Sequence, residues 1–510
     1  MSMMRDLSEE SIAMKMPEYD ELDGTALAAL VKEGAVSPQE LLEAAIERVE
    51  ARNPALNAVV LKLYERAREK VSTLPDGPFH GIPFLLKDLK AALAGTPTSN
   101  SSRLSLNDIP TESSALVRRY EAAGLQIVGK TNTPEFGIMG VTESKLRGPC
   151  RNPWSLDHTP GGSSGGASSA VAARIVPFAH AGDGGGSIRI PASTCGLFGL
   201  KPTRGRVSQA PHRGESWRGF VQEHVVSRSV RDSAALLDIS AGPEPGDPYA
   251  APAKERPWLE EVGAPPGKLR VAFSPDPLYA GETHPDCDAA LKDAAWLLES
   301  LGHEVEERAI SFSREELVYN YFLTVAAGTA SFVMETAARA GVKPQARDFE
   351  SATWLLAQIG WKTDAGTYER TLGAVNQAAR SAAAFFEDYD LFLSPTLAAP
   401  PAQIGELLPT RGDELQLALL RGLNSKKLLD LALDKMGTRA LARSPNTQLF
   451  NQTGLPAMSV PLYWSSEGLP IGVQLATRFG DEATLFRVAA QLEEARPWAG
   501  RAGWERPWER

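Results

Sequence analysis

Between His158 and Gly205 the chain reads HTPGGSSGGASSAVAARIVPFAHAGDGGGSIRIPASTCGLFGLKPTRG, and no other stretch restricts its folding as much. Two glycine-serine clusters, Gly161-Gly162-Ser163-Ser164-Gly165-Gly166 and Gly182-Asp183-Gly184-Gly185-Gly186-Ser187, are separated by a helix-forming run, ASSAVAAR, and an apolar strand-forming run, VPFAHA. Each cluster therefore falls where a loop meets the end of a helix or strand. Glycines there permit positive φ and let several peptide N–H groups face one point with no side chain between them. Ser187 follows three glycines and precedes the apparent helix IRIPAS, so it is expected at a helix N-terminus, which favours developing negative charge. An oxyanion hole needs donors set before the reaction and aimed at the tetrahedral intermediate, each worth roughly 3 to 4 kcal/mol.

Other readings of the same residues exist. A glycine-rich turn is commonly structural, and Ser163 and Ser187 are both ordinary helix-capping residues. A phosphate cradle lacks its markers: there is no GxxxxGK[ST], and no GxGxxG after an early strand with an acidic residue about 20 positions on. Gly161 to Gly165 matches G-x-S-x-G, but a nucleophile elbow needs an acid and then a histidine later in the chain. His180, His212, His224, His284 and His303 follow, yet none lies beyond the late strands where elbow enzymes place theirs.

Patterning outside the block predicts an α/β fold. Ser37-Pro38-Gln39-Glu40 reads as a helix start with a capping box, and the first 75 or so residues are expected to be mostly helical and packed on the core. From Gly81 onward strands and helices alternate: IPFLL ending at Lys87, the helix ESSALVRRYEAAG, then LQIVG. The alternation returns in LRVAFSP, AALKDAAWLLESLG and HEVEE, and again in YDLFLSP and IGVQLA before the last helix, ATLFRVAAQLEEA. This predicts one twisted mixed sheet with helices on both faces, in a single domain over residues 76–510. Residues 241–257 are Pro-rich and read as a surface connection, and about 313–440 read as a helical covering region.

Apolar residues make up 43% and charged residues 23%, so a large core is affordable; the net charge of −10 disfavours a phosphate-binding surface and hence nucleic acid. No export signal or run of about 18 uninterrupted apolar residues is present, so no membrane is expected. Cys150, Cys195 and Cys287 are too scattered for a disulfide framework, which fits a cytoplasmic location, and no Cys/His cluster suggests a metal. No cofactor is expected.

The span PGGSSGGASSAVAARIVPFAHAGDGGGSIRIPASTCGLFGLKPTRG resembles the signature block of the amidase-signature family. The resemblance extends to GIPFLLKDLK and NTPEFG upstream, and to RNPW, SRSVRDSA and NQTGLPAMSVPL, thus over most of the chain. It implies Ser187 as nucleophile, Ser163 as a bridging serine after a cis peptide bond, and Lys87 as the base, with the N–H groups of Gly184, Gly185, Gly186 and Ser187 as oxyanion hole. Ser164, Asp183 and Arg189 are read as supports. The implied activity is cleavage of amide C–N bonds, and of carbamates, in a small-molecule substrate by a monomer or homodimer. The downstream sequence looks closest to the cyclic-dimer hydrolase and small-amidase branch, which suggests aryl amides, anilides and nylon-type oligomers; the alternative is an amidotransferase A-type subunit acting with a partner and tRNA.

Lysine serves as a base only when neutral, so its usual pKa of about 10.4 must fall through burial or a nearby cation. Gly184 stands where the family usually carries a side chain, and leaves room beside the scissile bond. Phe136, Gly137, Ile138 and Met139 are expected along the acyl-binding cleft, giving an apolar wall with no Arg or Lys placed for a substrate carboxylate.

Overall fold

In strand β2 (Pro83–Lys87) successive side chains turn to opposite faces: Phe84 and Leu86 enter one buried cluster and Leu85 another. The same alternation, repeated along the chain, builds a sheet with two buried faces. The computed structural model describes residues 17–279, 281–410, 412–413 and 441–501. Its strands in chain order are β1 (Val59–Lys62), β2, β3 (Gln126–Thr131), the short pair β4 (Glu143–Ser144) and β5 (Gly148–Pro149), β6 (Phe178–Asp183), β7 (Phe198–Lys201) and β8 (Gln222–Ser227). They continue with β9 (Arg270–Phe273), β10 (Glu304–Glu307), β11 (Leu391–Pro395), β12 (Ala457–Trp464) and β13 (Pro470–Ala476).

Eleven of these form one mixed sheet in the order β1-β3-β2-β6-β8-β7-β12-β13-β11-β9-β10. The pairs β2–β3, β2–β6, β9–β10 and β9–β11 are parallel and the rest antiparallel. One face buries the helices Val230–Ser240, Pro285–Ser300 and Glu482–Ala495; the other buries Pro38–Leu56 and Gly165–Ala172. The α/β class with helices on both faces is as the sequence predicts.

The capping box at Ser37 forms: Ser37 Oγ accepts from Glu40 N–H at 3.2 Å, and Glu40 Oε2 accepts from Ser37 N–H at 2.8 Å. The N-terminal segment also supplies β1, which lies antiparallel to β3 at the sheet edge, so this stretch is not all helix. Residues 1–16 lie outside the described residues. The covering region holds helices Arg314–Arg339, Ser351–Lys362 and Ala365–Asp388, followed by β11; of its expected length, 411 and 414–440 lie outside the described residues. By length and composition Arg314–Arg339 could cross a bilayer, but it packs against the two helices that follow, burying Leu323, Val325, Phe332 and Val333.

Candidate active site

Lys87 is the last residue of β2 and shares the face of Leu85, where Ala167, Ala170 and Val171 of the helix Gly165–Ala172 pack. That helix begins just after the first glycine-serine cluster, so Lys87 is delivered to it. Its Nζ donates to Ser163 Oγ at 2.7 Å and to Ser164 Oγ at 2.9 Å, and approaches the Gly182 carbonyl at 3.4 Å. Lys87 is 1% exposed, and no carboxylate among the described residues lies within ion-pair distance of it. Burial pushes its pKa down to about 7; Lys90 adds to the fall, while Glu223 and Asp183 oppose it.

The Gly162–Ser163 peptide bond is cis. A Cβ on Gly162 would meet the Val141 backbone at 2.7 Å, so only glycine fits there. Ser164 occupies the N-cap position of the helix Gly165–Ala172, yet makes no capping bond. Its hydroxyl is spent on Lys87 instead.

The second cluster follows β6, and Asp183 at the strand end organises it. Asp183 Oδ1 accepts from Gly186 N–H at 2.6 Å and from Arg189 Nη2 at 2.9 Å; Oδ2 accepts from Arg189 Nε at 2.9 Å and Ile188 N–H at 3.2 Å. Arg189 also donates to Asn451 Oδ1 at 2.6 Å, Gln474 Oε1 at 2.7 Å and the Thr447 carbonyl at 2.9 Å. Arg189 holds the Asp183 carboxyl well below the usual range although burial acts the other way. Gly186 departs from the expectation: its N–H faces the Asp183 carboxylate rather than a reacting oxygen. The N–H groups of Gly184, Gly185 and Ser187 have no partner among the described residues.

Ser187, Ser163, Lys87, Phe136, Gly137 and Gly184 line one narrow cavity of about 20 Å³. Ser163 and Ser187 are not hydrogen-bonded to each other here, which is common before substrate tightens such contacts. This cavity shares Leu89, Lys90, Phe136 and Glu223 with a larger one of about 480 Å³. Ile138 and Met139 do not join Phe136 and Gly137 along the small cavity; they line a separate one of about 80 Å³ with Glu135, Glu350 and Leu408. The turn at Phe136, with φ of 50°, swings the chain away.

Two further expectations change. Gly184 opens no room, because a Cβ there would meet the Trp217 ring at 2.8 Å; the indole fills that space, and Gly328 makes way for its other edge. Cations do reach the larger cavity, since Lys90 and Arg213 line it. Arg213 is paired with Glu335, and Lys90 stands among Glu223, the Phe332 ring at 5.1 Å and the Trp217 ring at 5.9 Å. Trp217, Glu223, Thr447 and Asn451 carry no local pattern in the sequence that distinguishes them.

The amidase family model matches residues 40–486. The 6-aminohexanoate-cyclic-dimer hydrolases of Pseudomonas sp. and Paenarthrobacter ureafaciens are each 37% identical over 489 residues, covering 94% of this chain and 96% of the relative. An acylamidase of Rhodococcus erythropolis is 33% identical over 492 residues, covering 94% and 96%. Among solved structures, 6-aminohexanoate cyclic dimer hydrolase complexed with substrate superposes with a TM-score of 0.86 at 36% identity, over 95% of this chain and 99% of that one. Fold, signature block and these likenesses agree, and the chain belongs to the amidase family, of amidase-signature type.

Proposed function

We propose that this amidase-signature hydrolase cleaves amides through an acyl-enzyme on Ser187, with Ser163 and Lys87 as proton relay. The observation that carries the reading is the 2.7 Å contact between Ser163 Oγ and a desolvated Lys87 that has no counter-ion within ion-pair distance among the described residues. Neutral Lys87 accepts the Ser163 proton as Ser163 takes that of Ser187, whose Oγ attacks the carbonyl carbon. The free N–H groups of Gly184, Gly185 and Ser187 receive the negative oxygen, and Asp183 with Arg189 keeps their loop in place. The relay then runs backwards: Lys87 returns the proton through Ser163 to the departing nitrogen, the C–N bond breaks, and water repeats the attack on the ester. Because nitrogen leaves only as an amine, this return is what makes amides usable.

Aryl amides, anilides and nylon-type oligomers are the substrates this reading favours. The larger cavity has room for a hydrophobic acyl group, and its cations Arg213, Lys90 and Arg339 are balanced by Glu335, Glu223 and Asp108, so a neutral group still suits it. Carbamates differ by one oxygen beside the attacked carbonyl and run through the same relay, without room from Gly184.

The test is a fluorophosphonate probe with wild type, Ser187→Ala and Ser163→Ala, followed by 4-nitroanilides of increasing acyl length, a nitrophenyl carbamate, and glutamine with and without tRNA. Labelling lost in Ser187→Ala and turnover of the anilides are expected. Undiminished labelling of Ser187→Ala would refute the nucleophile, and activity confined to glutamine would point to an amidotransferase subunit.

A further inference from the structure

Across the sheet from Lys87 lies a buried acid that the relay does not use. Glu223 is the antiparallel partner of Gly182, whose carbonyl touches Lys87 Nζ. Both Glu223 oxygens lie over Gly182, at 2.3 and 2.9 Å from where a Cβ would stand, so the absence of a side chain at Gly182 is what lets the carboxylate reach the end of β6. Glu223 belongs with His180 on the face of Phe178 and Val225, opposite Lys87, yet both faces meet in the small cavity, which Glu223, Lys87, Ser163 and Ser187 all line.

His180 joins the two residues. Its Nδ1 accepts from the Lys87 backbone N–H at 3.3 Å, which leaves the ring proton on Nε2 to be donated to Glu223 Oε2 at 3.0 Å. Donating from Nε2, the imidazole fixes the acid in place. The other charged groups facing Lys87 are Asp183, already paired with Arg189, and Lys90 in the loop after β2. Glu223 faces His180, Lys87, Lys90 and the buried phenol of Tyr120, whose ring lies edge-on to His180 at 6.2 Å.

We propose that Glu223, fixed by His180, is a positioning residue that stabilises the ammonium formed on Lys87 when Ser163 hands over its proton, and that Lys90 opposes it. The proposal rests on the reading of Lys87 as base. A carboxylate that is held ionised beside a group gaining positive charge lowers the energy of the proton-transfer state, while a cation beside it keeps the resting amine neutral. The two together set a base that gives up its proton near pH 7, where Lys90, itself lowered to about 8 by burial, is still mostly charged, and that is strong enough to pull a proton from serine.

The experiment follows fluorophosphonate labelling and anilide kcat/KM from about pH 5.5 to about pH 9.5 in wild type, Glu223→Gln, Lys90→Met and the double variant. Gln keeps an acceptor for His180. Removing the anion should move the acid limb down by about one pH unit and lower the plateau several-fold; removing the cation should move it up by about as much, with the double variant between them. A Glu223→Gln profile lower at every pH with an unmoved midpoint would mean a structural role and overturn the proposal, as would Lys90→Met moving the limb downward. If Glu223→Gln does not fold, the Lys90→Met shift alone decides, since an unmoved limb there removes the opposed pair. A wild-type rate that does not change with pH would instead remove Lys87 as base, and this proposal with it.

Discussion

Two cations are alike in burial but not in fate: Arg189, just after the second glycine cluster, is 0% exposed, and Lys87, at the end of β2, is 1%. Arg189 meets the Asp183 carboxylate through two nitrogens and spends its remaining donors on Asn451, Gln474 and Thr447. Lys87 meets only two hydroxyls and a carbonyl. Burial is equal, so the counter-ion decides. A buried charge with a well-placed opposite charge in contact stays ionised, whereas one whose hydrogen bonds all go to neutral oxygens gives up its proton more readily. One pair thus ties down the loop that carries Ser187, and the other corner holds the amine on which the proposed relay depends.

Replacement of each cation by methionine sharpens the contrast. Lys87→Met should lower kcat/KM for amides by roughly 10³- to 10⁴-fold and for an activated aryl ester far less, since an aryloxide leaves without protonation. Kinetics on matched anilide and nitrophenyl ester check it; equal losses would make Lys87 structural. Arg189→Met leaves the buried Asp183 carboxylate without its counter-ion, so urea denaturation should show a loss of about 3 to 5 kcal/mol. A smaller loss would mean that the pair is not the support the geometry suggests.

The same lysine change should act oppositely on stability. Folded Lys87 has a pKa near 7, below the unfolded value of about 10.5, so folding releases a proton and wild-type stability falls as pH drops from about 10.5 to about 7, then levels off. Lys87→Met lacks this dependence and should be more stable near pH 7 by about 1 to 3 kcal/mol. Wild-type activity also rises with pH, but through about pH 7 as the amine becomes neutral, where stability has already levelled off. An effect of similar size concerns the loop that Arg189 supports. Gly184→Ala puts a Cβ 2.8 Å from the Trp217 ring and should cost about 1 to 3 kcal/mol of strain, read as a drop in Tm; an unchanged Tm would show that the indole yields.

What could be read from the sequence is what depends on short intervals. The capping box at Ser37, the strands ending at Lys87 and Asp183, and the two glycine clusters are local patterns, and their order along the chain matches the signature block. The residues expected to act, Lys87, Ser163 and Ser187, line one cavity because period-2 alternation puts Lys87 on the face where the helix after Ser163 packs. Strand order is another matter. β8 inserts between β6 and β7, and that placement alone brings Glu223 onto Gly182; likewise Asn451 and Gln474 reach Arg189 from the far end of the chain. The occupation of the space at Gly184 by Trp217, the turning away of Ile138 and Met139, and the capture of the Gly186 N–H by Asp183 were decided by tertiary packing as well. A sequence carries its local periods openly, but it does not state which distant side chain will fill a gap, because that depends on how the whole sheet closes.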